Sequence, residues 1–201
     1  MKAYWWILPV GGTAFAVGLI VLTVLFGAHQ WGGVYQDPPK PAPDFSMTDE
    51  GGQRASLSDL RGQWILLQFG YTTCPDVCPT TLARLAEVRR QLGGEAADVR
   101  VLFVTVDPAR DTTTKIAAYV HKFDPTFRGF TGTDAELAAA AKAWGVTYSR
   151  VESDSAAGYL MSHTAFVYLI DPQMRVRIVY PFGVESEEIT HDLRYMVGKE
   201  S

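Results

Sequence analysis

Cys74 and Cys78 are the only two thiols in a chain of 201 residues, and they stand three residues apart, each followed by a proline, in FGYTTCPDVCPTTL. The thiolate is the form of cysteine that attacks disulfides and binds metal. The pair therefore suits a structural staple, a dithiol redox couple or part of a soft metal site. A staple across so short a loop removes little unfolded-state entropy, which sets it behind the other two. One helical turn between the residues lies near the upper limit of disulfide geometry, so a bond between them is allowed but not obligatory. Two sulfurs give a metal only two ligands, and four histidines could supply a third. His29 borders an apolar N-terminal run, while His121 and His191 fall in expected helices where solvated or capping roles suffice. His163 differs, standing directly before an apolar run in SHTAFVYLID.

The elements that must position these residues follow an α/β pattern. Residues 64–69 (WILLQF) and 101–106 (VLFVTV) read as central strands buried on both faces. Between them, residues 79–92 carry apolar positions at 82, 85, 88 and 92, a helical stripe closed by Gly93 and Gly94. Further helices are expected from Asp111 to about Phe123 and over 134–144, where Gly145 follows. Residues 164–170 and 175–180 flank the turn DPQM as an antiparallel hairpin, and a last helix starts near Ser186. The sheet is then mixed, and the cysteines leave the carboxyl end of its first central strand at a helix N-terminus. Open α/β sheets bind ligands at such ends, and the helix dipole favours a thiolate there.

This order of elements resembles a thioredoxin-like fold. Residues 44–62, with their Gly51–Gly52 turn, resemble the extra N-terminal β-hairpin of peroxiredoxin-like members. The resemblance sets His163 near the place where a thioredoxin packs a cis-proline against its cysteines, within reach of Cys74 and Cys78. Two thiolates and one neutral imidazole make a soft set suited to Cu(I), while structural zinc takes four protein ligands. Copper is the expected ion, with zinc and a water second. Asp107 ends the second buried strand on the cysteine edge, where it could tune the site, meet a partner or simply precede Pro108 in a turn. Arg110 and Asp111 read as a surface charge and a helix cap.

The N-terminus has its own logic. No Lys, Arg, Asp or Glu occurs between Lys2 and Asp37, and residues 10–28 hold only two threonines for polarity. Such a run covers about 30 Å as a helix, enough to cross a bilayer. Tyr4, Trp5 and Trp6 before it, and Trp31 and Tyr35 after it, read as interfacial anchors. A cleaved signal peptide would have a shorter apolar region and a small-x-small cut site. The expected organisation is a short cytoplasmic or interfacial segment (1–9), a single transmembrane anchor (10–28), a proline-rich tether (29–43) and a thioredoxin-like copper-binding domain (44–201). Lys2 favours a cytoplasmic N-terminus, which puts the domain in the periplasm of a bacterial inner membrane. The formal net charge of −4 and the scattered Lys and Arg argue against nucleic acid as a partner.

CPDVCP at 74–79, VTVDPARDT at 104–112, FTGT at 130–133 and SHTAFVYLID at 162–171, in that order, resemble the Sco/SenC family. The resemblance implies a membrane-anchored protein that holds copper, Cu(I) or Cu(II), through Cys74, Cys78 and His163. It also implies delivery to the binuclear copper site of cytochrome c oxidase subunit II. Another periplasmic copper chaperone or a thioredoxin-like reductant is the expected upstream partner. The alternative is a thiol-disulfide oxidoreductase that reduces the cysteines of that site before metallation. A peroxidase stands third, because no constellation for peroxide activation accompanies Cys74.

Overall fold

The computed structural model describes residues 29–153 and 158–200. The chain divides into two units, Met1–Gln30 and Trp31–Ser201, and every element below belongs to the second. In chain order these are β1 (Val34–Pro41), β2 (Ser46–Asp49), β3 (Arg54–Ser56), β4 (Trp64–Gly70), α1 (Val77–Leu92), β5 (Val99–Thr105) and α2 (Thr113–Val120). They continue with β6 (Arg128–Thr131), α3 (Asp134–Trp144), β7 (Tyr148–Glu152), β8 (Tyr159–His163), β9 (Phe166–Ile170), β10 (Arg175–Pro181) and α4 (Ser186–Glu200). The expected span at 10–28 lies outside the described residues, among which no helix is long and apolar enough to cross a membrane.

β4 is buried at every position, as its unbroken apolar run requires, and it pairs in parallel with β5 from Trp64–Val99 to Gly70–Thr105. β5 pairs in parallel with β6, and β4 pairs antiparallel with β9. The eight-stranded sheet runs β1-β10-β9-β4-β5-β6-β2-β3, a mixed thioredoxin-like sheet with the expected β2–β3 hairpin at one edge. Side chains alternate between its faces. Gln68 looks toward Leu85 of α1 and Ile189 of α4, while Phe69 meets Trp144 of α3, so helices cover both sides. α3 starts on a capping box of Thr133 and Glu136 and stops at Gly145, whose left-handed φ of 66° ends the helix cleanly.

The tether assigned to residues 29–43 is corrected in part. Val34–Pro41 forms the edge strand β1, paired with β10 at Val34–Val179 and Tyr35–Ile178 and again at Lys40–Val176. Pro38 and Pro39 fall in the irregular stretch between those pairs, where no ladder donor is needed, which is how an edge strand accommodates proline. Trp31 and Tyr35 are likewise not displayed as free anchors. Their rings stack 4.3 Å apart, and Trp31 meets Tyr195 of α4 edge-on. Two further elements carried no sequence prediction: β6, and the β7–β8 hairpin that forms a separate two-stranded sheet.

Candidate metal centre

The cysteine loop begins where β4 ends. Gly70 lacks the Cβ that would sit 2.9 Å from Cys78 Sγ and 2.6 Å from the Phe103 ring, so the strand end and the first turn of α1 can close on each other. Cys78 lies in that first turn and is fully buried, whereas Cys74, in the loop, is partly exposed; both are free thiols. Asp76 occupies the N-cap position of α1 but its side chain caps no backbone N–H. The Cys74 sulfur does so instead, accepting from the Cys78 N–H at 3.4 Å. Pro79 removes one of the orphan N–H groups of the same turn.

The two thiols are electrostatically unlike. Hydrogen bonds from the Cys78 thiol, the His163 side chain and the Cys78 and Asp76 backbone N–H groups bring the Cys74 pKa down to about 3 despite the cost of its burial. The hydrogen bond to Cys74, burial and the charge on Cys74 push Cys78 far above the ordinary thiol range. Burial and the neighbouring Cys74 raise Tyr71 to about 12, so its phenol is neutral. One thiolate and one thiol thus share a proton at the end of the strand.

His163 arrives from elsewhere. It is the last residue of β8, paired with Tyr148 across the hairpin, rather than the start of the apolar strand β9. Its Nε2 lies 3.5 Å from Cys78 Sγ. Its Nδ1 lies 2.9 Å from the Thr164 carbonyl, which can only accept, so Nδ1 carries a proton and Nε2 is the ring atom turned toward the sulfurs. Tyr71 holds the imidazole edge-on, with ring centroids 5.8 Å apart. Tyr71, Cys74, Pro75, Met161 and His163 line an open cleft of about 370 Å³. The three residues expected to act together are therefore brought together.

Asp107 heads the expected turn, its carbonyl accepting the Arg110 and Asp111 N–H groups, whereas Arg110 and Asp111 depart from their expected roles. Asp111 is completely buried and caps no helix; Thr112 does that, accepting from Lys115 N–H. The Asp111 carboxylate instead receives the Thr72 N–H at 2.9 Å, the Thr72 hydroxyl at 2.5 Å and the Thr105 hydroxyl at 2.7 Å. It thereby ties the cysteine loop to the end of β5. Arg110 is no free surface charge: its guanidinium pairs with the buried Asp107 at 2.5 Å and lies 3.5 Å from the centre of the Tyr159 ring. The Thr72–Asp111 and Arg110–Tyr159 contacts join segments 39 and 49 residues apart, and the sequence announces only that polar residues sit beside apolar strands.

The SCO1/SenC family model matches residues 34–198. The mitochondrial SCO2 homolog of Bos taurus is 39% identical over 153 residues, 75% of this chain. That alignment spans 58% of the bovine protein's own length. The structure of Bradyrhizobium japonicum ScoI with copper bound is similar at 36% identity and a TM-score of 0.70, covering 77% of this chain and 98% of that one. The structure of Arabidopsis thaliana ScoI with copper bound is similar at 30% identity and a TM-score of 0.74, covering 79% and 98%.

Proposed function

Because the chain belongs to the SCO1/SenC family, we propose that it is a copper metallochaperone whose cargo is held by Cys74, Cys78 and His163. The observation that carries this reading is the 3.5 Å approach of His163 Nε2 to Cys78 Sγ, with Nδ1 tied to a carbonyl. Two sulfurs and one imidazole nitrogen fit the soft demand of Cu(I), and the imidazole allows Cu(II) as well. Loading requires Cys78 to give up its proton, while Cys74 is already a thiolate. Release to an acceptor exchanges these ligands for the acceptor's thiolates, and Cys78 takes a proton back.

The acceptor we propose is the binuclear copper site of cytochrome c oxidase subunit II, with another periplasmic copper chaperone as donor. An anchor at residues 10–28 would hold the domain on the periplasmic face of a bacterial inner membrane. The support for this placement is the apolar run itself and the resemblance of the four motifs.

A second reading is favoured by the unequal thiols. The partly exposed Cys74 thiolate would attack an acceptor disulfide, forming a mixed disulfide and expelling one acceptor thiolate. Cys78, once deprotonated, would attack the Cys74 sulfur, release the second acceptor thiol and leave a Cys74–Cys78 disulfide. A thioredoxin-like reductant would then return two electrons to the pair.

Anaerobic titration of the reduced protein with Cu(I) against a competing chelator separates the two readings. The chaperone reading expects one tight equivalent and a loss of affinity of about a hundredfold or more in His163→Ala, since losing a mere outer-shell partner of a metal ligand already costs about ten- to a hundredfold. Unchanged affinity in that variant, with rapid dithiol exchange, would transfer the assignment to the oxidoreductase.

A further inference from the structure

His163 sits at one end of a two-stranded ribbon that, among the described residues, shares no ladder with the main sheet. Tyr159, Met161 and His163 fall on the same face of β8, because strand side chains alternate. Three residues of strand separate Tyr159 from His163, a rise of about 13 Å, so whatever fixes the first aims the second.

Tyr159 is fixed by a cluster that the metal site does not itself use. Its hydroxyl donates to Asp107 Oδ1 at 2.9 Å. The Arg110 guanidinium lies over the Tyr159 ring, 3.5 Å from its centre, donates to the Tyr159 carbonyl at 2.9 Å and pairs with Asp107. The Arg150 guanidinium, from β7, also lies over the ring at 3.9 Å. Asp107 is 3% exposed, so the pair works where water screens it little. Asp111, the residue after Arg110, holds Thr72 of the cysteine loop.

We propose that Arg110, clamped between Asp107 and Tyr159, is a positioning residue for His163, and that residues 107–111 form one ruler setting the distance between the cysteine loop and the histidine hairpin. Arg110 anchors the hairpin while Asp111 anchors the loop, so both ligand groups are referenced to the same turn after β5. A planar, forked guanidinium is needed for this, because it must stack on a ring and bond a carboxylate and a carbonyl at once. The consequence for copper rests on the chaperone reading above; the clamp on the hairpin does not.

Two variants test it. Tyr159→Leu removes the ring and hydroxyl, and Arg110→Met with Asp107→Asn removes the pair without stranding a buried carboxylate. Hydrogen exchange on the reduced, copper-free protein should show amides 159–163 losing about tenfold in protection while those of β4 and β5 hold. X-ray absorption of the Cu(I) form should keep two sulfur scatterers and lose the imidazole signature. Adding His163→Ala to Tyr159→Leu should then cost far less affinity than it costs the wild type. Unchanged protection in both variants, or fully additive losses, would overturn the proposal. A wild-type protein lacking an imidazole signature would sink the metal reading, and exchange alone would then decide the clamp.

Discussion

Cys74 and Cys78 have the same side chain and opposite electrostatics, because one sulfur receives hydrogen bonds at a helix N-terminus and the other donates from a buried turn. The sign of the consequence is definite. A group held at about 3 is fully ionised throughout the neutral range, so Cys74 should react with iodoacetamide at a rate almost flat between about pH 5 and 8. An ordinary thiol would speed up roughly tenfold per pH unit over the same interval. Cys78 should stay unmodified until the protein unfolds, since it is buried and protonated. Peptide mapping by mass spectrometry after a short pulse reads both, and modification of Cys78 first would refute the assignment.

Between elements, the decisive contact is the closure of the β4 end onto the first turn of α1. Gly70 is required there for close approach, since a methyl group would press on both Cys78 Sγ and the Phe103 ring. Gly70→Ala should cost about 1–3 kcal/mol, the usual range for overpacking a filled interior. It should also displace Cys78 from His163, because the ring of Phe103 is locked against Tyr119 and the sulfur is the freer neighbour. Urea denaturation measures the first effect and Cu(I) competition the second. A variant as stable as the parent with unchanged affinity would show that the turn has room to spare.

At the scale of the whole domain, β1 and Trp31 close the sheet on the side away from the β2–β3 hairpin. They cover the outer edge of β10 and bury aromatic surface against Tyr195. A domain starting at Asp44 should therefore be less stable than one starting at Trp31 by about 2–4 kcal/mol, from lost aromatic packing and an exposed strand edge. It should also aggregate more readily, because unpaired β10 offers a template. Paired denaturation curves and light scattering test this, and equal stability would restore residues 29–43 to the status of a passive tether.

The amino-acid sequence by itself pointed to the central strands, to the four helices of the described residues and to the place of the two thiols beside a helix N-terminus. A short apolar run bounded by turn residues reads as a strand buried on both faces, a three-to-four-residue stripe reads as a helix facing a core, and thiols near a helix N-terminus are placed where the thiolate is favoured. The β7–β8 hairpin was invisible to that logic because β7 is mostly exposed and β8 mostly half-buried, so neither strand shows an alternation of burial to read. β1 was hidden for a related reason: its prolines signal an extended chain, and only the presence of the β10 edge makes that chain a strand. Tertiary structure alone decided that His163 meets Cys78 from a separate ribbon, and that Arg110 and Asp111 brace the site instead of facing water. Local pattern reports which surface of a segment is buried, whereas the meeting of side chains from distant segments depends on how all the loops close together.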